Sequence, residues 1–378
     1  MKKKILVTFG TRPEAIKMAP VIFELQQNSN FDTRLCVTGQ HRDMLDQVLS
    51  LFGLSPEYDL DVMSQDQSLF DVTHKIMSSL NSILTEFKPD LVLVHGDTTT
   101  TMASSLAAYY HRISVGHVEA GLRTHNIYAP WPEEGNRQLV SKLASLNFAP
   151  TQRAAGNLKN EGVALNTIFT TGNTVIDALL WAKKQIESGS VNTRCLEKKF
   201  DFLDNEKKLI LVTGHRREIF GEGLVRICKA IREIAKIHDN VQIVYPVHPN
   251  PNVKKTVDKE LGKFQNIHLI EPLDYLPFVF LMMKSQIILT DSGGVQEEAP
   301  SLGKPVLVLR DTTERPEAVE AGTVKLVGSD ISLIKKEVHK LLTSVDCYNQ
   351  MSKAHNPYGD GYAARRIASH ISCSFREN

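Results

Sequence analysis

The sequence alternates short apolar runs with amphipathic segments along its whole length, and this alternation constrains the fold more than any other feature. Such an order is typical of repeated strand–helix units and predicts parallel sheets. In the first half we predict strands at residues 4–9, 34–38, 91–95, 113–117, 147–149 and 167–170. In the second half we predict strands at residues 209–213, 241–246, 267–270, 286–289, 305–309 and 324–327.

This pattern predicts an α/β protein with two Rossmann-like, doubly wound domains. We expect residues 1–171 to form an N-terminal domain that is joined by a C-terminal helix at 362–378. Residues 172–361 are expected to form the second domain. A length of 378 residues suits two domains, and a hydrophobic content of 42% is ample for packed cores. No sequence repeat relates the halves, so the doubling is architectural.

Composition excludes several classes of function. The net charge of +1 gives no overall attraction to nucleic acid or membranes. No apolar stretch reaches the roughly 18 residues of a membrane span, and no signal peptide opens the chain. The five cysteines are scattered, odd in number and without a Cys-x-x-Cys spacing. We therefore expect a cytoplasmic protein without disulfides or structural zinc.

A glycine pair between an apolar run and a helix predicts a phosphate site. Ser292, Gly293 and Gly294 follow a predicted strand and precede helical sequence. Residues without a Cβ let an anion approach the backbone, and the amides of a helix N-terminus favour negative charge. Glu297 or Glu298, about one turn later, suits the hydroxyls of a ribose. The alternative is a tight strand–helix turn with a favourable acidic first turn.

Charged side chains also follow the predicted strands of the first half. Arg12 lies in the loop after the first strand and Lys17 about one turn into the next helix, an arrangement that suits a di-anion or two surface bases. Asp97 either acts in a site or caps the helix that begins at the threonines after it. Glu119 lies between a strand and Gly121 and has no such capping role.

Three further charged groups are candidates. Glu133 and Arg137 are four residues apart at the start of a helix, so they either pair with each other or both face a site. His215 follows the first strand of the second half and suits phosphate binding or proton transfer. Arg315 follows the last long strand and is another candidate cation.

Five stretches together carry a family resemblance. They are Gly-Thr-Arg-Pro-Glu-Ala-Ile-Lys-Met-Ala-Pro (10–20), His-Gly-Asp-Thr-Thr-Thr-Thr (95–101), Gly-His-Val-Glu-Ala-Gly-Leu-Arg (116–123), Thr-Asp-Ser-Gly-Gly-Val-Gln-Glu-Glu-Ala-Pro-Ser-Leu-Gly (290–303) and Arg-Asp-Thr-Thr-Glu-Arg-Pro-Glu (310–317). With them the chain resembles the non-hydrolysing UDP-N-acetylglucosamine 2-epimerases over essentially its whole length. The resemblance implies a glycosyltransferase-B-like fold with a UDP-sugar in the cleft between its domains. It also implies a homodimer, and neither a nicotinamide cofactor nor a metal.

The resemblance also implies roles for individual residues. Those around the UDP phosphates would be Arg12, His215, Ser292, Gly293, Gly294 and Arg315. Glu298 would bind the ribose, and Leu273 and Phe278 would border the uracil. Those around the sugar would be Lys17, Asp97, Glu119, Glu133 and Arg137. A second, activating UDP-sugar would lie near Gln40, Gln67, Glu134, Arg216 and His248.

The implied reaction inverts C2 of a sugar whose C2 hydrogen is not next to a carbonyl. A workable route eliminates UDP to an unsaturated glycal and adds it back with C2 protonated from the other face, giving UDP-N-acetylmannosamine for surface polysaccharide. We assign the proton transfers to Asp97, Glu119 and Glu133. The other candidate catalytic residues are Lys17, Arg137 and His215. We expect grouped carboxylates to raise one another's pKa, so that one serves as acid.

Three other functions are compatible with parts of this pattern. A hydrolysing relative would release N-acetylmannosamine and UDP, but the full motif set favours the non-hydrolysing enzyme. A glycosyltransferase could use the same fold, yet no basic or apolar membrane-facing helix suits a lipid acceptor. A non-catalytic UDP-sugar sensor has no use for three carboxylates.

Overall fold

The computed structural model describes residues 2–39, 42–64, 67–190, 193–214 and 220–377. The chain forms two compact units. Unit 1 comprises Met1–Ala178 and Tyr358–Asn378, and unit 2 comprises Leu179–Pro357. The first unit boundary falls inside a helix, whereas the sequence placed it before that helix.

Unit 1 is built on a parallel sheet. Its strands are β1 (Lys3–Phe9), β2 (Phe31–Val37), β3 (Tyr58–Asp59), β4 (Leu91–His95), β5 (Ser114–Val118), β6 (Leu146–Ala149) and β7 (Ile168–Thr170). They lie in the order β3-β2-β1-β4-β5-β6-β7. All six strands predicted for this half are present; β3 was missed because two residues form no recognisable apolar run.

Helices cover the strand connections of unit 1. They are α1 (Arg12–Gln27), α2 (Arg42–Phe52), α3 (Leu69–Phe87), α4 (Thr99–Tyr110), α5 (Glu133–Leu143), α6 (Gln152–Asn160), the crossing helix α7 (Thr174–Glu187) and the C-terminal α16 (Ala363–Glu377). A short 3₁₀ turn spans Leu165–Thr167.

The sequence of α3 shows why one of these helices forms. Ser68 and Asp71 make a reciprocal capping box at its start, which satisfies backbone amides that the helix leaves unpaired. Val72, Ile76 and Leu80 then recur at every fourth position, and all are buried in the core of unit 1. Each fully buried side chain of this kind contributes about 1.5–3 kcal/mol.

Unit 2 repeats the architecture. Its strands are β8 (Lys208–Thr213), β9 (Val241–Pro246), β10 (Ile267–Ile270), β11 (Ile287–Thr290), β12 (Val306–Val308) and β13 (Val324–Leu326). They are parallel, in the order β10-β9-β8-β11-β12-β13. The predicted α/β class with two parallel, doubly wound sheets is confirmed.

The helices of unit 2 are α8 (Thr193–Lys199), α9 (Glu222–Ile237), α10 (Pro251–Leu261), α11 (Tyr275–Lys284), α12 (Gly293–Glu298), α13 (Pro316–Glu320), α14 (Ile331–Thr343) and α15 (Val345–Ser352). A 3₁₀ turn, Ala299–Leu302, follows α12 directly. Apolar residues of α9 and α14 pack on the strands to form the core, for example Ile231 and Val338. In the described part of the chain, no helix has the length and apolarity that a bilayer crossing requires.

The C-terminal helix docks onto unit 1 through Asp177. This carboxylate accepts the backbone N–H of Ala363 at 3.3 Å and of Ala364 at 2.9 Å, at the start of α16. Burial raises the pKa of Asp177 to about 6, with Asp360 adding to the increase, although the two N–H groups oppose it. Tyr358 accepts a further bond at 2.7 Å from the backbone of Asn173. The start and the end of the chain therefore meet in one unit.

Candidate functional site

Three candidate charged residues of unit 1 lie near the carboxyl ends of β1, β4 and β5. These strands are neighbours in the sheet, so the residues that follow them lie at one edge. Lys17 reaches this edge from α1, Asp97 follows β4 and Glu119 follows β5. The geometry thus brings together three residues that the sequence singled out separately.

Glu119 is held through one of its two oxygens. Its Oε2 pairs with Lys17 Nζ, accepts Asn173 Nδ2 at 3.3 Å and lies 3.5 Å from His95 Nε2. Its Oε1 has no hydrogen-bond partner among the described residues and is not sealed from solvent. The backbone of Glu119 has φ of 64°, a conformation uncommon outside glycine.

The charge around Glu119 reverses one expectation from the sequence. Burial would raise the pKa of this carboxyl, but Lys17 and then His95 lower it, and the pKa lies well below its usual range. The prediction that grouped carboxylates raise one another's pKa is wrong for this residue. The reason is that a cation, and not another carboxylate, is its nearest charged neighbour. Glu119 is therefore ionised at neutral pH.

Two buried histidines, His95 and His117, lie near Glu119. The side chain of His95 is only 4% exposed, and neither ring nitrogen has a hydrogen-bond partner among the described residues. His117 Nε2 lies 2.7 Å from the carbonyl oxygen of Gly96, which can only accept, so Nε2 carries the proton. Burial lowers the pKa of His117 to about 4, which makes this ring neutral.

Asp97 is positioned by Arg137. Asp97 Oδ2 lies 2.6 Å from Arg137 Nη2, and the Asp97 carbonyl accepts Asn136 Nδ2 at 2.8 Å. The N-cap of α4 is Thr98, so the reading of Asp97 as a helix cap is wrong. Arg137 Nη1 also contacts Glu134 Oε2 at 3.1 Å. Arg137 is thus clamped between two carboxylates.

Glu133, the first residue of α5, has a different environment from Asp97 and Glu119. It does not form the pair with Arg137 that the sequence left open, because Arg137 binds Asp97 and Glu134 instead. Its Oε2 is buried without a hydrogen-bond partner among the described residues. Leaving such an oxygen unsatisfied costs about 1–3 kcal/mol, so this position points to a ligand or a proton.

Glu14 and Arg12 show which charges of α1 are structural. The carboxylate of Glu14 accepts the amides of Gly10 and Thr11 at 3.0 and 2.8 Å and the hydroxyl of Thr98 at 2.7 Å. It therefore joins the starts of α1 and α4. Arg12, two residues earlier, has no side-chain hydrogen bond or ion pair to the described residues. Its guanidinium is available for an anion.

Unit 2 presents the predicted phosphate-binding turn. Ser292 is the N-cap of α12, and its backbone amide donates to Thr290 Oγ1 at 3.0 Å. Gly293 and Gly294 have no positive φ. A Cβ built on Gly293 would meet nothing nearer than Arg315 Nη2 at 3.8 Å, and one on Gly294 nothing nearer than 3.9 Å. The protein's own packing does not require these glycines, which favours the close approach of a ligand.

Arg315 is directed to this turn by a buried carboxylate. Its Nε pairs with Glu297 Oε1, and the Glu297 side chain is 1% exposed. Thr313 Oγ1 accepts the Arg315 amide at 3.1 Å and donates to Gln296 Oε1 at 2.7 Å. Contacts on both the side chain and the backbone of Arg315 therefore hold its guanidinium beside Gly293.

The predicted nucleoside-binding residues lie next to the same turn. Glu298 Oε1 accepts the hydroxyl of Tyr275 at 2.9 Å, which ties α12 to α11. Leu273, just before α11, is buried, and Phe278 within it is half-buried. The structure thus brings Glu298 and α11 together, as the assigned ribose and uracil contacts require.

Some predicted residues cannot be placed in this picture. His215, Gln40 and Arg216 lie outside the described residues. Of the remaining second-site candidates, Gln67 bonds within its own loop, Glu134 is fully buried, and His248 is exposed. Burial would raise the pKa of Glu134, but the Thr124 amide, Gln138 and Arg137 together lower it. Among the described residues, no group of three or more His, Cys, Asp or Glu side chains is arranged to hold a metal.

Three residues in these clusters were not predicted as site residues. His95 and Asn173 contact Glu119, and Tyr275 contacts Glu298. These contacts span at least twenty positions of sequence, which no local pattern shows. Glu297 was considered only for the ribose, whereas in the structure it pairs with Arg315.

Comparison with known proteins gives a consistent result. Residues 23–372 match the family model described as UDP-N-acetylglucosamine 2-epimerase. The UDP-N-acetylglucosamine 2-epimerase of Yersinia pestis is 60% identical over 364 residues, which are 96% of this chain and 97% of the relative. That of Escherichia coli K12 is 59% identical over the same length, with the same coverage. A crystal structure of the Neisseria meningitidis enzyme bound to UDP-GlcNAc aligns with a TM-score of 0.90 at 54% identity, covering 97% of this chain and 99% of that one.

Proposed function

This chain belongs to the UDP-N-acetylglucosamine 2-epimerase family, and we propose that it interconverts UDP-N-acetylglucosamine and UDP-N-acetylmannosamine without hydrolysis. One observation carries the proposal. Three carboxylates of unit 1 have three different environments: Glu119 is bound to a lysine, Asp97 is bound to an arginine, and Glu133 has a buried oxygen without a hydrogen-bond partner among the described residues. Such differences suit one group to accept a proton and another to donate one, which proton transfer to and from one carbon requires.

The two units supply different chemistry in this proposal. Unit 2 contributes the Ser292–Gly294 turn, Arg315 and Glu298, which suit a nucleoside diphosphate. Unit 1 contributes the carboxylates, which suit a neutral sugar that must lose and regain a proton. The Neisseria relative binds UDP-GlcNAc, which supports a substrate of this class.

The reaction proceeds by elimination and addition. A base removes the C2 proton while the C1–O bond breaks, the electron pair leaves with UDP, and a C1=C2 double bond forms. A UDP oxygen then returns to C1 as an acid protonates C2 from the opposite face. Bonds made and broken balance without an oxidant or reductant, so the route needs no redox cofactor.

The environment of each carboxylate limits its role. Lys17 keeps Glu119 ionised, so Glu119 acts as a base or as a hydrogen-bond acceptor. The acid is then Asp97 or Glu133. We favour Glu133, because Arg137 already binds Asp97, whereas the buried Oε2 of Glu133 has no hydrogen-bond partner among the described residues. General acid–base help of this kind is worth roughly 10²–10⁴ in rate.

Stabilising the departing diphosphate supplies the larger part of the acceleration. Arg315 and the amides beside Gly293 offer fixed positive charge, which costs no reorganisation when UDP leaves. One cation about 4 Å from an anion contributes roughly 4 kcal/mol at an intermediate dielectric, before desolvation. The same groups retain UDP until it adds back.

Incubation with UDP-N-acetylglucosamine in heavy water tests the proposal. We expect deuterium at C2 of both UDP-sugars and no free amino sugar. Free N-acetylmannosamine with equal UDP would instead identify a hydrolysing enzyme. No change to the UDP-sugar alone would favour a glycosyltransferase or a sensor and would end the epimerase proposal.

Three further expectations complete it. The product feeds surface polysaccharide synthesis, the enzyme acts in the cytoplasm, and two copies form a homodimer. Sedimentation equilibrium tests the last directly, because the dimer has twice the 42.3 kDa of one chain. A single species at the monomer mass at micromolar concentration would contradict it.

A further inference from the structure

We propose that Asn173 and His95 are positioning residues: together with Lys17 they occupy one oxygen of Glu119, so that only the other oxygen acts on the substrate. This inference rests on the proposed epimerase function. It goes beyond that function in assigning a task to two residues outside the set of charged groups around the sugar. It also assigns different tasks to the two oxygens of the Glu119 carboxylate.

Three different elements direct a group at the same atom. Lys17 comes from α1, His95 ends β4, and Asn173 lies in the segment that leads into α7. All three contact Oε2 of Glu119, and none of the described residues makes a hydrogen bond to Oε1. A carboxylate with both oxygens equally solvated can rotate and react through either. Convergence on one oxygen removes this equivalence and fixes the direction of the lone pairs on Oε1.

The orientation of the Asn173 amide is determined by its surroundings. Its Oδ1 accepts the backbone N–H of Val175 at 3.0 Å, so its Nδ2 must be the atom that faces Glu119. Its backbone N–H donates to Tyr358 at 2.7 Å. Asn173 therefore joins Glu119 to both passages of the chain, the one that enters α7 and the one that returns toward α16.

His95 has no other evident reason to be polar. Its ring is almost fully buried, and its two nitrogens make no hydrogen bond to the described residues. An unpaired polar group in such a place costs about 1–3 kcal/mol. An aliphatic side chain would avoid this cost, and the His95 ring lies 3.5 Å from the Glu119 carboxylate. Orienting Glu119 explains why the imidazole is there.

Two substitutions at Asn173 separate its task from its structural contacts. Asn173→Asp keeps an oxygen for the Val175 amide but turns the donor toward Glu119 into an anion. Asn173→Ser removes the donor without adding charge. We expect kcat to fall about tenfold in the serine variant and about a hundredfold in the aspartate variant. The KM for UDP-N-acetylglucosamine should stay within about threefold, because neither change touches the UDP-binding residues.

The pH profile provides a readout that a purely structural role would not move. The groups facing Glu119 are Lys17, His95 and Asn173, with His117 behind it on the preceding strand. Replacing a donor by an anion favours the protonated form of Glu119. The acidic limb of kcat should therefore move to higher pH in Asn173→Asp, and part of the lost activity should return as the pH rises.

His95 is tested by a matched pair. His95→Phe fills the buried space without a polar group, whereas His95→Gln restores an N–H that reaches toward Glu119. We expect the phenylalanine variant to lose about tenfold in kcat and the glutamine variant to recover most of it. As a control, Asn266→Ala removes an amide that bonds two backbone carbonyls in unit 2. Its kcat and pH profile should match the wild type.

The outcomes separate this inference from the proposed function. A wild-type protein that incorporates no deuterium at C2 would refute the epimerase assignment itself. An active wild type, with Asn173→Asp showing unchanged kcat and an unmoved acidic limb, would overturn the positioning role alone. Equal losses in His95→Phe and His95→Gln would show that shape, and not the N–H, matters at that position.

Discussion

The two units use the same kind of ion pair in opposite ways. In unit 1 the carboxylate is the more exposed partner of the Asp97–Arg137 pair, at 25% against 14%. In unit 2 the cation is the more exposed partner of the Glu297–Arg315 pair, 15% against 1% for the glutamate. One pair therefore presents an anion and the other presents a cation. Counting charges alone would miss this difference, which agrees with the proposal that unit 1 transfers protons and unit 2 binds the diphosphate.

Removing the charge of Asp97 should give the largest effect, a loss of turnover. Asp97→Asn keeps the shape of the side chain but removes its basicity, so we expect turnover to fall by about 10³ or more, within the range for acid–base catalysis. UDP binding, measured by calorimetry, should stay within about threefold. Asp32→Asn is the control, because Asp32 forms an exposed pair with Arg34 at 3.6 Å. Wild-type turnover in Asp97→Asn would remove Asp97 from the mechanism.

Removing the charged partner of Arg315 should weaken UDP binding. Glu297→Gln deprives Arg315 of its charged partner, and we expect UDP affinity to fall about 10- to 100-fold, the loss of one charge-assisted hydrogen bond. Glu337→Gln removes another buried carboxylate, which pairs with Lys325 at 2.8 Å, and should leave UDP affinity unchanged. If both variants bind UDP as the wild type does, Glu297 does not serve the ligand.

A glycine substitution distinguishes a ligand's requirement from the fold's own. Gly293→Ala has room for its methyl group, so we expect unchanged thermal stability and about tenfold weaker UDP binding. Gly121→Ala should instead destabilise unit 1 strongly. At that position φ is +88° and a Cβ would lie 2.2 Å from the carbonyl oxygen of Ala154. A stable Gly293→Ala protein with full UDP affinity would show that no ligand approaches the turn closely.

A last contrast concerns Asp177, a carboxylate that forms no salt bridge with a cation among the described residues. Burial raises the pKa of Asp177 from 3.8 to about 6. The pKa of Glu119 shifts in the opposite direction, because Lys17 lowers it. Between the unfolded pKa of 3.8 and the folded pKa of about 6, Asp177 binds more protons in the folded state than in the unfolded state. The free energy of unfolding therefore falls as pH rises from about 4 to about 6. The expected loss is about 3 kcal/mol, at 1.36 kcal/mol per pKa unit.

Urea unfolding of wild type and Asp177→Asn at several pH values measures this. The asparagine variant should lose that pH dependence, because an amide does not titrate in this range. Parallel curves for the two proteins between pH 4 and pH 7 would show that cations do not explain the contrast between Asp177 and Glu119.

The sequence predicts the fold better than it predicts the contacts of the site. Apolar runs locate every strand longer than two residues, and family motifs locate the turn at Gly293 and the acids at Asp97 and Glu119. Helix α8 was missed because the polar stretch that contains it shows no apolar periodicity. Arg137 was read with Glu133 at helical spacing, yet it pairs with Asp97, forty positions away. Long-range contacts of this kind depend on the strand order, which a single sequence does not state.

Because Asp177 fastens the start of α16, the last stretch of the chain completes the first unit. Unit 2, by contrast, is continuous from Leu179 to Pro357. On a translating ribosome all of unit 2 has been synthesised before α16 exists, so the middle of the protein can finish folding before the beginning does. A nascent chain arrested before residue 358 would hold the complete Ser292–Gly294 turn of unit 2, while unit 1 would still lack its closing helix.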